Sequence, residues 1–501
     1  MSYSVLSYLD NILAKSPNKI AYSDENNAYT FREIDCLSDS IAAWLIENGY
    51  KNEPVSIMVE RNAIVPAYYF AVAKAACFYA PMEATLPLQR LKQIMQVVKS
   101  RLLLVDEKNL SVAKQLDFDG EIVVIDSICR TEADKTVLKN RRSTIVDSMP
   151  IYVIFTSGST GVPKGVITSH RAVTTYLDAV QKVLELNEAD VIANQSPLDY
   201  IAAVRDIYLP AKTGASTVIV PKKALSVPSQ LYQALEDNGV TTLCWSASGL
   251  ELCVKTGLFE CGVPSKIKKV LFSGSVLSGK SLAVWQKNLP DAVFINQYGP
   301  TEATASCTYY TVKEPADEQT VLPIGKPYDN YSVFILSESG EQAKIGEIGE
   351  ICVSGPAVAL GYYGNREATN KAFVQNPFND NYREIIYKTG DLGMLKQNGD
   401  FVFCGRKDRQ IKHMGHRIEL DEIDSNALKI DGVDSCISLY NEQKEALFLF
   451  YTGTATKRDI ALYFRSNLPA YMVPRKIVPL EEMPRLANGK ININALKETL
   501  N

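Results

Sequence analysis

The sequence predicts an α/β protein with a large first part and a small α+β second part. Three observations carry this: a length of 501 residues, strand-like runs alternating with helical patterns up to about residue 400, and a charged crossing beyond which both patterns resume. At roughly 100–200 residues per domain the length allows more than one domain, and a 46% hydrophobic composition can fill a large core.

In "MSYSVLSYLDNILAK", Val5, Leu6, Leu9, Ile12 and Leu13 recur at helical intervals. With no basic leader or small-residue cleavage site, this predicts an amphipathic helix rather than a signal peptide. The longest apolar stretch, residues 63–82, contains Pro66 and Lys74, so it reads as a buried helix of a soluble protein, not a membrane span. "EIVVID", "ASTVIVP", "KKVLFSGS" and "EICVSG" read as strands, "SQLYQALEDNG" and "GKSLAVWQKNLP" as helices. The polar segment "NGDFVFCGRKDRQIKHMGHRIE" follows, and beyond it come a strand, "ALFLFYTG", and a helix, "TKRDIALYFRSNL". The expected division is 1–407 and 408–501.

Composition narrows the function. A net charge of -4 with interspersed signs gives no basic field for nucleic acid. The ten cysteines form no C-x-x-C pair, which fits reduced thiols in a cytoplasmic protein and no structural metal. Of three histidines, His413 and His416 share one segment, which argues against a histidine-dependent triad.

The chemistry-bearing segment is "IYVIFTSGSTGVPKG", residues 151–165. A β-branched strand leads into a loop in which Gly158, Gly161 and Gly165 free the backbone N–H groups to turn inward. Thr156, Ser157, Ser159 and Thr160 add donors, and Lys164 adds a positive charge. These are parts for holding phosphate, although Ser/Gly richness also suits a flexible turn. Pro163 stands where a Walker A loop needs its second glycine, which excludes a P-loop NTPase. "NQYGPTEATAS" presents Tyr298, Thr301 and Glu302 around a Gly-Pro turn: an aromatic face for a base, a hydroxyl for phosphate and a carboxylate for Mg²⁺. It also fits a surface turn closing a strand. Asp391 in "YKTGDLG" suits ribose hydroxyls, and Arg406 in "GRKDRQIK" suits phosphate or ribose. Lys490 in "NGKININAL" reads, alone, as a solvated terminal lysine.

Together "TSGSTGVPKG", "YGPTE", "YKTGD", "GRKDRQIK" and "NGK" resemble, in order and over essentially the whole chain, the adenylate-forming superfamily. That superfamily comprises acyl-CoA synthetases, adenylation domains of nonribosomal peptide synthetases, and luciferases. "GPTEAT" and "GHRIEL" look most like the amino-acid-activating branch, stand-alone D-alanine carrier-protein ligases included.

The resemblance implies a large N-terminal domain of stacked sheets with a barrel-like subdomain, and a mobile C-terminal domain. It implies ATP and Mg²⁺ as cofactors and a two-step reaction: a carboxylate attacks the α-phosphate to give an acyl-adenylate and pyrophosphate, then a thiol displaces AMP. By carry-over Lys164 and its loop hold the pyrophosphate, Thr301 the α-phosphate, Glu302 Mg²⁺, Tyr298 the adenine and Asp391 the ribose, with Gly274 also at the nucleotide. Lys490 bridges the attacking carboxylate and the α-phosphate, and Asp408 is the hinge.

Gly432, Asp434 and Ser435 form a G-x-D-S pattern like a phosphopantetheine attachment site. It lies upstream of Lys490 inside the small domain, so a strand is expected there. The thiol is then supplied in trans, by a carrier protein or by coenzyme A. Amino-acid-activating relatives grip the α-ammonium with an aspartate. Anchoring on Thr213–Ser216 puts Ile201 at that position and Asp199 two residues too early. Arg205, Cys244, Ser273, Gln297 and Ala305 are the further expected lining positions. Arg205 suits either an anionic substrate group or an ion pair with Asp206. The open readings are an amino-acid ligase, an aryl-, β-amino- or acyl-acid ligase, and a non-catalytic ATP-binding relative.

Overall fold

The computed structural model describes residues 4–129, 133–158, 161–442, 444–485 and 491–499. A nine-stranded sheet has six neighbouring parallel strands, Val293–Tyr298, Lys269–Ser273, Thr242–Ser246, Val191–Asn194, Ser216–Ile219 and Ile20–Ser23. A seven-stranded sheet has five, Pro150–Thr156, Phe78–Pro81, Pro54–Met58, Leu102–Val105 and Glu121–Val124. Parallel strands need helical crossovers and are covered on both faces, hence their near-continuous Val/Ile/Leu runs.

One hydrophobic cluster joins both sheets to the helices Phe31–Glu47, Val65–Lys74, His170–Leu184 and Ala203–Thr213. At its centre Tyr79 stacks on Tyr69 with ring centres 4.1 Å apart and accepts a hydrogen bond from the Tyr208 hydroxyl at 3.1 Å. The helix expected over residues 63–82 is shorter. Val65–Lys74 is helical and wholly buried, and the chain then turns at Ala76 (φ 57) into the strand Phe78–Pro81. Lys74 ends the helix inside the protein because Asp35 and Asp39 each meet its ammonium at 2.6 Å.

Expected to be barrel-like, the third region is a five-stranded antiparallel sheet centred on Ile385–Leu395. One edge of that strand pairs with Gly349–Ser354; the other takes Phe373–Gln375 along its first half and Phe401–Arg406 along its second. Beyond it lie a hairpin, Gln410–His413 with His416–Glu419, the helix Leu420–Ala427, and a three-stranded sheet covered by the helix Lys457–Asn467. The buried members of two hydrophobic clusters here all come from residue 418 onward. Asp434 and Ser435 lie in the strand Val433–Asn441, the element expected there. Among the described residues no helix is long and apolar enough to cross a membrane.

Candidate active site

The site lies where loops at the carboxyl ends of both parallel sheets meet, the place where open α/β sheets hold ligands. Thr156 ends its strand, and the chain returns antiparallel through Lys164. Gly158 is required by close approach, since a Cβ there would stand 2.1 Å from the Val162 carbonyl oxygen. Gly161 closes the turn at φ +77 and donates its N–H to the Gly158 carbonyl at 2.9 Å. The Lys164 ammonium lies 5.6 Å from the Tyr362 ring centre. Ser159 and Thr160 lie outside the described residues, as does Lys490.

Opposite this loop, Tyr298 ends a strand and Thr301–Ala303 form a short 3₁₀ turn. Gly299 permits it: a Cβ would come within 2.4 Å of the Ser306 Cα. Thr304 and Ala305 follow with φ of 54° and 71°, a left-handed conformation uncommon outside glycine and often found at functional sites. The Thr304 hydroxyl fixes it by donating to the Ala357 carbonyl at 2.7 Å.

Thr301 and Glu302 are buried. Glu302 accepts the Tyr362 hydroxyl at 2.7 Å, and each of its oxygens stands 2.9 Å from Nη1 of Arg417. Burial works against the Glu302 charge, but the guanidinium and that hydroxyl hold its carboxyl below the usual range.

The remaining expected nucleotide contacts are tied to one another. The Tyr298 hydroxyl donates to Asp391, and the Lys412 ammonium stands 5.7 Å from the Tyr298 ring centre. Arg406 pairs with Asp391 and, through Nε and Nη2, with Asp408 at 2.9 and 2.7 Å. Its fork therefore couples the ribose candidate to the hinge candidate. Gly274 follows Ser273 at φ +94, and a Cβ there would meet nothing within 4 Å.

The expected substrate positions divide. Ile201 is 5% exposed and belongs to the main apolar core. Arg205 is buried, donates to the Cys244 carbonyl, and faces Asp206 at 3.3 Å. The ion pair is thus the arrangement Arg205 adopts. Gln297 donates to the Tyr328 hydroxyl and accepts from Ser306 at 3.3 Å. Burial pushes the Cys244 thiol up to about 12. Ser273 and Ala305 are half-buried.

Asp199 instead lines a cleft of about 580 Å³ with Arg61, Tyr69, Met82, Glu83 and Lys222. Burial, and then the nearby Glu83 charge, push its carboxyl up to about 7. Tyr200 beside it donates to the Gly415 carbonyl at 3.0 Å, and His416 stacks on Tyr471 at 3.8 Å.

Sequence reasoning missed Arg417, Glu422, Lys412 and Tyr362. Arg417 and Glu422 lie in or next to "GHRIEL", whose mixed charge reads locally as a solvated face. Nothing local tells which charges turn inward.

Loops that offer backbone N–H groups, hydroxyls and a carboxylate across the ends of two parallel sheets define an α/β nucleotide-binding protein. The chain belongs to the AMP-binding enzyme family, whose match covers residues 9–363. It is 30% identical to zwittermicin A synthase ZmaJ of Bacillus cereus over 99% of this chain and 95% of that protein. It is also 30% identical to part of tyrocidine synthase 3 of Brevibacillus parabrevis, of which it spans 7%. In fold it resembles the Vibrio cholerae adenylation domain AlmE, solved with glycyl-adenosine-5'-phosphate (TM-score 0.86, 21% identity, 100% and 98% of the two chains). It likewise resembles the o-succinylbenzoate CoA synthetase of Bacillus subtilis (TM-score 0.84, 20% identity, 98% of each chain).

Proposed function

We propose that this protein activates a small carboxylic acid, an amino acid by preference, as an acyl-adenylate at the expense of ATP. The acyl group then passes to the thiol of a carrier protein supplied in trans. The observation that carries the reading is the chain of contacts that links the three segments: the Tyr362 ring lies beside the Lys164 ammonium while its hydroxyl donates to Glu302, and the Tyr298 hydroxyl donates to Asp391, which Arg406 pairs. Membership of the AMP-binding family supports ATP as the nucleotide.

In this reading the Gly158 N–H and Lys164 hold the leaving phosphates, and Thr301 donates to the α-phosphate. Asp391 takes the ribose hydroxyls and Tyr298 lies along the adenine. Lys490 stabilises the charge that grows between the attacking carboxylate and the α-phosphate. Residues 408–501 turn about Asp408 between the two steps.

Magnesium takes one or two carboxylates together with substrate phosphates. Glu302 suits that arrangement as a lone carboxylate: among the described residues no three His, Cys, Asp or Glu side chains gather to cage an ion. In the present arrangement one nitrogen of Arg417 lies against both Glu302 oxygens.

A second reading rests on the apolar Ile201 at the ammonium position and on Asp199 in a separate cleft. Here the acid lacks an α-amine, being an aryl, β-amino or acyl acid, and coenzyme A becomes an alternative acceptor. In the remaining reading the protein binds ATP without catalysis.

ATP–pyrophosphate exchange against L-, D- and β-amino acids, aryl acids and short fatty acids, with wild type and Asp199→Ala in parallel, separates the three. Exchange stimulated by an α-amino acid and lost in the variant supports the first reading. Stimulation only by acids without an α-amine supports the second. No exchange with any acid leaves the non-catalytic reading. Thioester formation with added carrier protein or with coenzyme A then identifies the acceptor.

A further inference from the structure

The cleft that Asp199 lines stands at the carboxyl ends of the parallel strands, apart from the nucleotide candidates. Its walls include the segments that follow five of those strands: the turn 24–27 and residues 59–62, 82–85, 197–199 and 221–223. No described residue of the 156–164 loop or the 298–302 turn lines it, and neither does Tyr200 or Ile201. Its volume of about 580 Å³ suits a small organic molecule.

The charges in this cleft are paired, with one exception that is drawn inward. Glu60 meets the Lys108 ammonium at 2.6 Å, and Glu83 pairs with Lys222. Arg61 donates to the carbonyls of Asn194, Ser196 and Val220 and to the Asn194 side chain. Asp24 accepts the N–H groups of Asn26, Asn27 and Ala63. Asp199 is half-buried, and among the described residues no basic side chain forms an ion pair with it. Backbone N–H groups, its own and that of Glu83, and the more distant Lys222 favour its charge, but burial and the Glu83 carboxylate outweigh them. Tyr69, Met82, Leu198 and Ile219 add apolar wall, the Tyr69 hydroxyl being held by the Leu198 carbonyl at 3.2 Å.

The geometry points to this cleft as a binding site for a primary amine with an apolar body, its ammonium against Asp199 and its body along Tyr69, Met82 and Leu198, separate from the site that takes the acid and ATP. An ammonium brings the one thing Asp199 lacks, a cation at contact distance, and it does so on a group small enough to enter beside a half-buried carboxylate. An anion has no such opening, because Arg61, Lys108 and Lys222 are already engaged. A divalent metal ion needs several oxygens around it, and among the described residues no three His, Cys, Asp or Glu side chains gather to hold one. The inference goes beyond the proposed reaction and does not depend on it.

Calorimetric titration of the full chain without nucleotide tests this, with 2-phenylethylamine as the probe and 2-phenylethanol as its uncharged counterpart. The variants are Asp199→Asn, which removes the charge at nearly constant shape, and Ala84→Phe, which fills the cleft from another wall if the first fails to fold. The amine should bind at one site per chain, at least about tenfold more tightly than the alcohol, and Asp199→Asn should weaken it by about tenfold, the scale of one charge-assisted hydrogen bond. Ala84→Phe should abolish it. Equal binding of amine and alcohol, or unchanged affinity in the variants, overturns the inference. Competition between the amine and the acid that stimulates pyrophosphate exchange also overturns it, because Asp199 then belongs to the acid's own site. Displacement of the amine by coenzyme A does the same and gives the cleft to the thiol acceptor. Whether the chain forms an adenylate is read separately, by pyrophosphate exchange, so either reading can fail alone.

Discussion

Residue by residue, the site separates charges that act locally from charges that act across the fold. Lys490→Ala should slow adenylate formation by at least about 10²-fold, as for loss of a charge-stabilising donor, while sparing thioester formation from supplied acyl-adenylate. Single-turnover assays of the two half-reactions check it, and equal loss in both would refute the role. Asp199 offers a pH signature, because its carboxyl is raised to about 7 by burial and Glu83. An acid with a raised folded pKa is neutral below it, so if Asp199 grips an ammonium, KM for that substrate should fall as pH rises from 6 to 8. Asp199→Asn should flatten the profile; an unchanged profile would remove Asp199 from substrate binding. The same shift has a stability sign. The folded chain holds a proton between the unfolded value near 4 and the folded value near 7, so this residue's stabilising contribution declines as pH rises through that window.

At the scale of elements, helix ends and turn glycines decide what local changes do. The helix Phe31–Glu47 starts with a capping box: the Thr30 side chain accepts the Glu33 N–H at 3.2 Å, and Glu33 accepts the Thr30 N–H at 2.7 Å. Thr30→Ala should lower unfolding stability by about 1 kcal/mol, measured in urea, without altering exchange activity. Gly158→Ala is a different case. Its Cβ would meet the Val162 carbonyl, which is backbone and cannot swing away. KM for ATP should rise about tenfold or more, and urea stability should also fall because the backbone must shift to admit the methyl group; an unaltered KM would mean that the loop does not contact the phosphates. Local pattern located both flanks of this loop, since strand and turn chemistry are written in consecutive residues. It misread residues 63–82 as one helix because a uniformly apolar run carries no period. There the left-handed turn at Ala76 and the sheet partners of Phe78–Pro81 chose the strand.

For the whole molecule, the proposed rotation about Asp408 predicts separable half-reactions. Asp408→Pro should leave pyrophosphate exchange near wild type and slow thioester formation, read by stopped-flow or quenched assays with a preformed adenylate. Normal thioester yield would place the pivot elsewhere. Arg406 ties Asp408 to Asp391, so the pivot is physically coupled to the nucleotide candidate. The sequence by itself determined the α/β class, the glycine- and hydroxyl-rich loop proposed for phosphate, the Gly-Pro turn with its hydroxyl and carboxylate, and the order of the five motifs. Each of these is a property of a few contiguous residues whose backbone and side-chain chemistry act locally. Only the tertiary structure decided that Arg205 pairs with Asp206, that Ile201 faces the core while Asp199 faces a separate cleft, and that Arg417 and Glu422 reach Glu302 and Gly158 across 115 and 264 positions of chain. A side chain's partner at such range is set by how sheets and helices pack, and a rotation of one residue along a helix or strand sends it to another face.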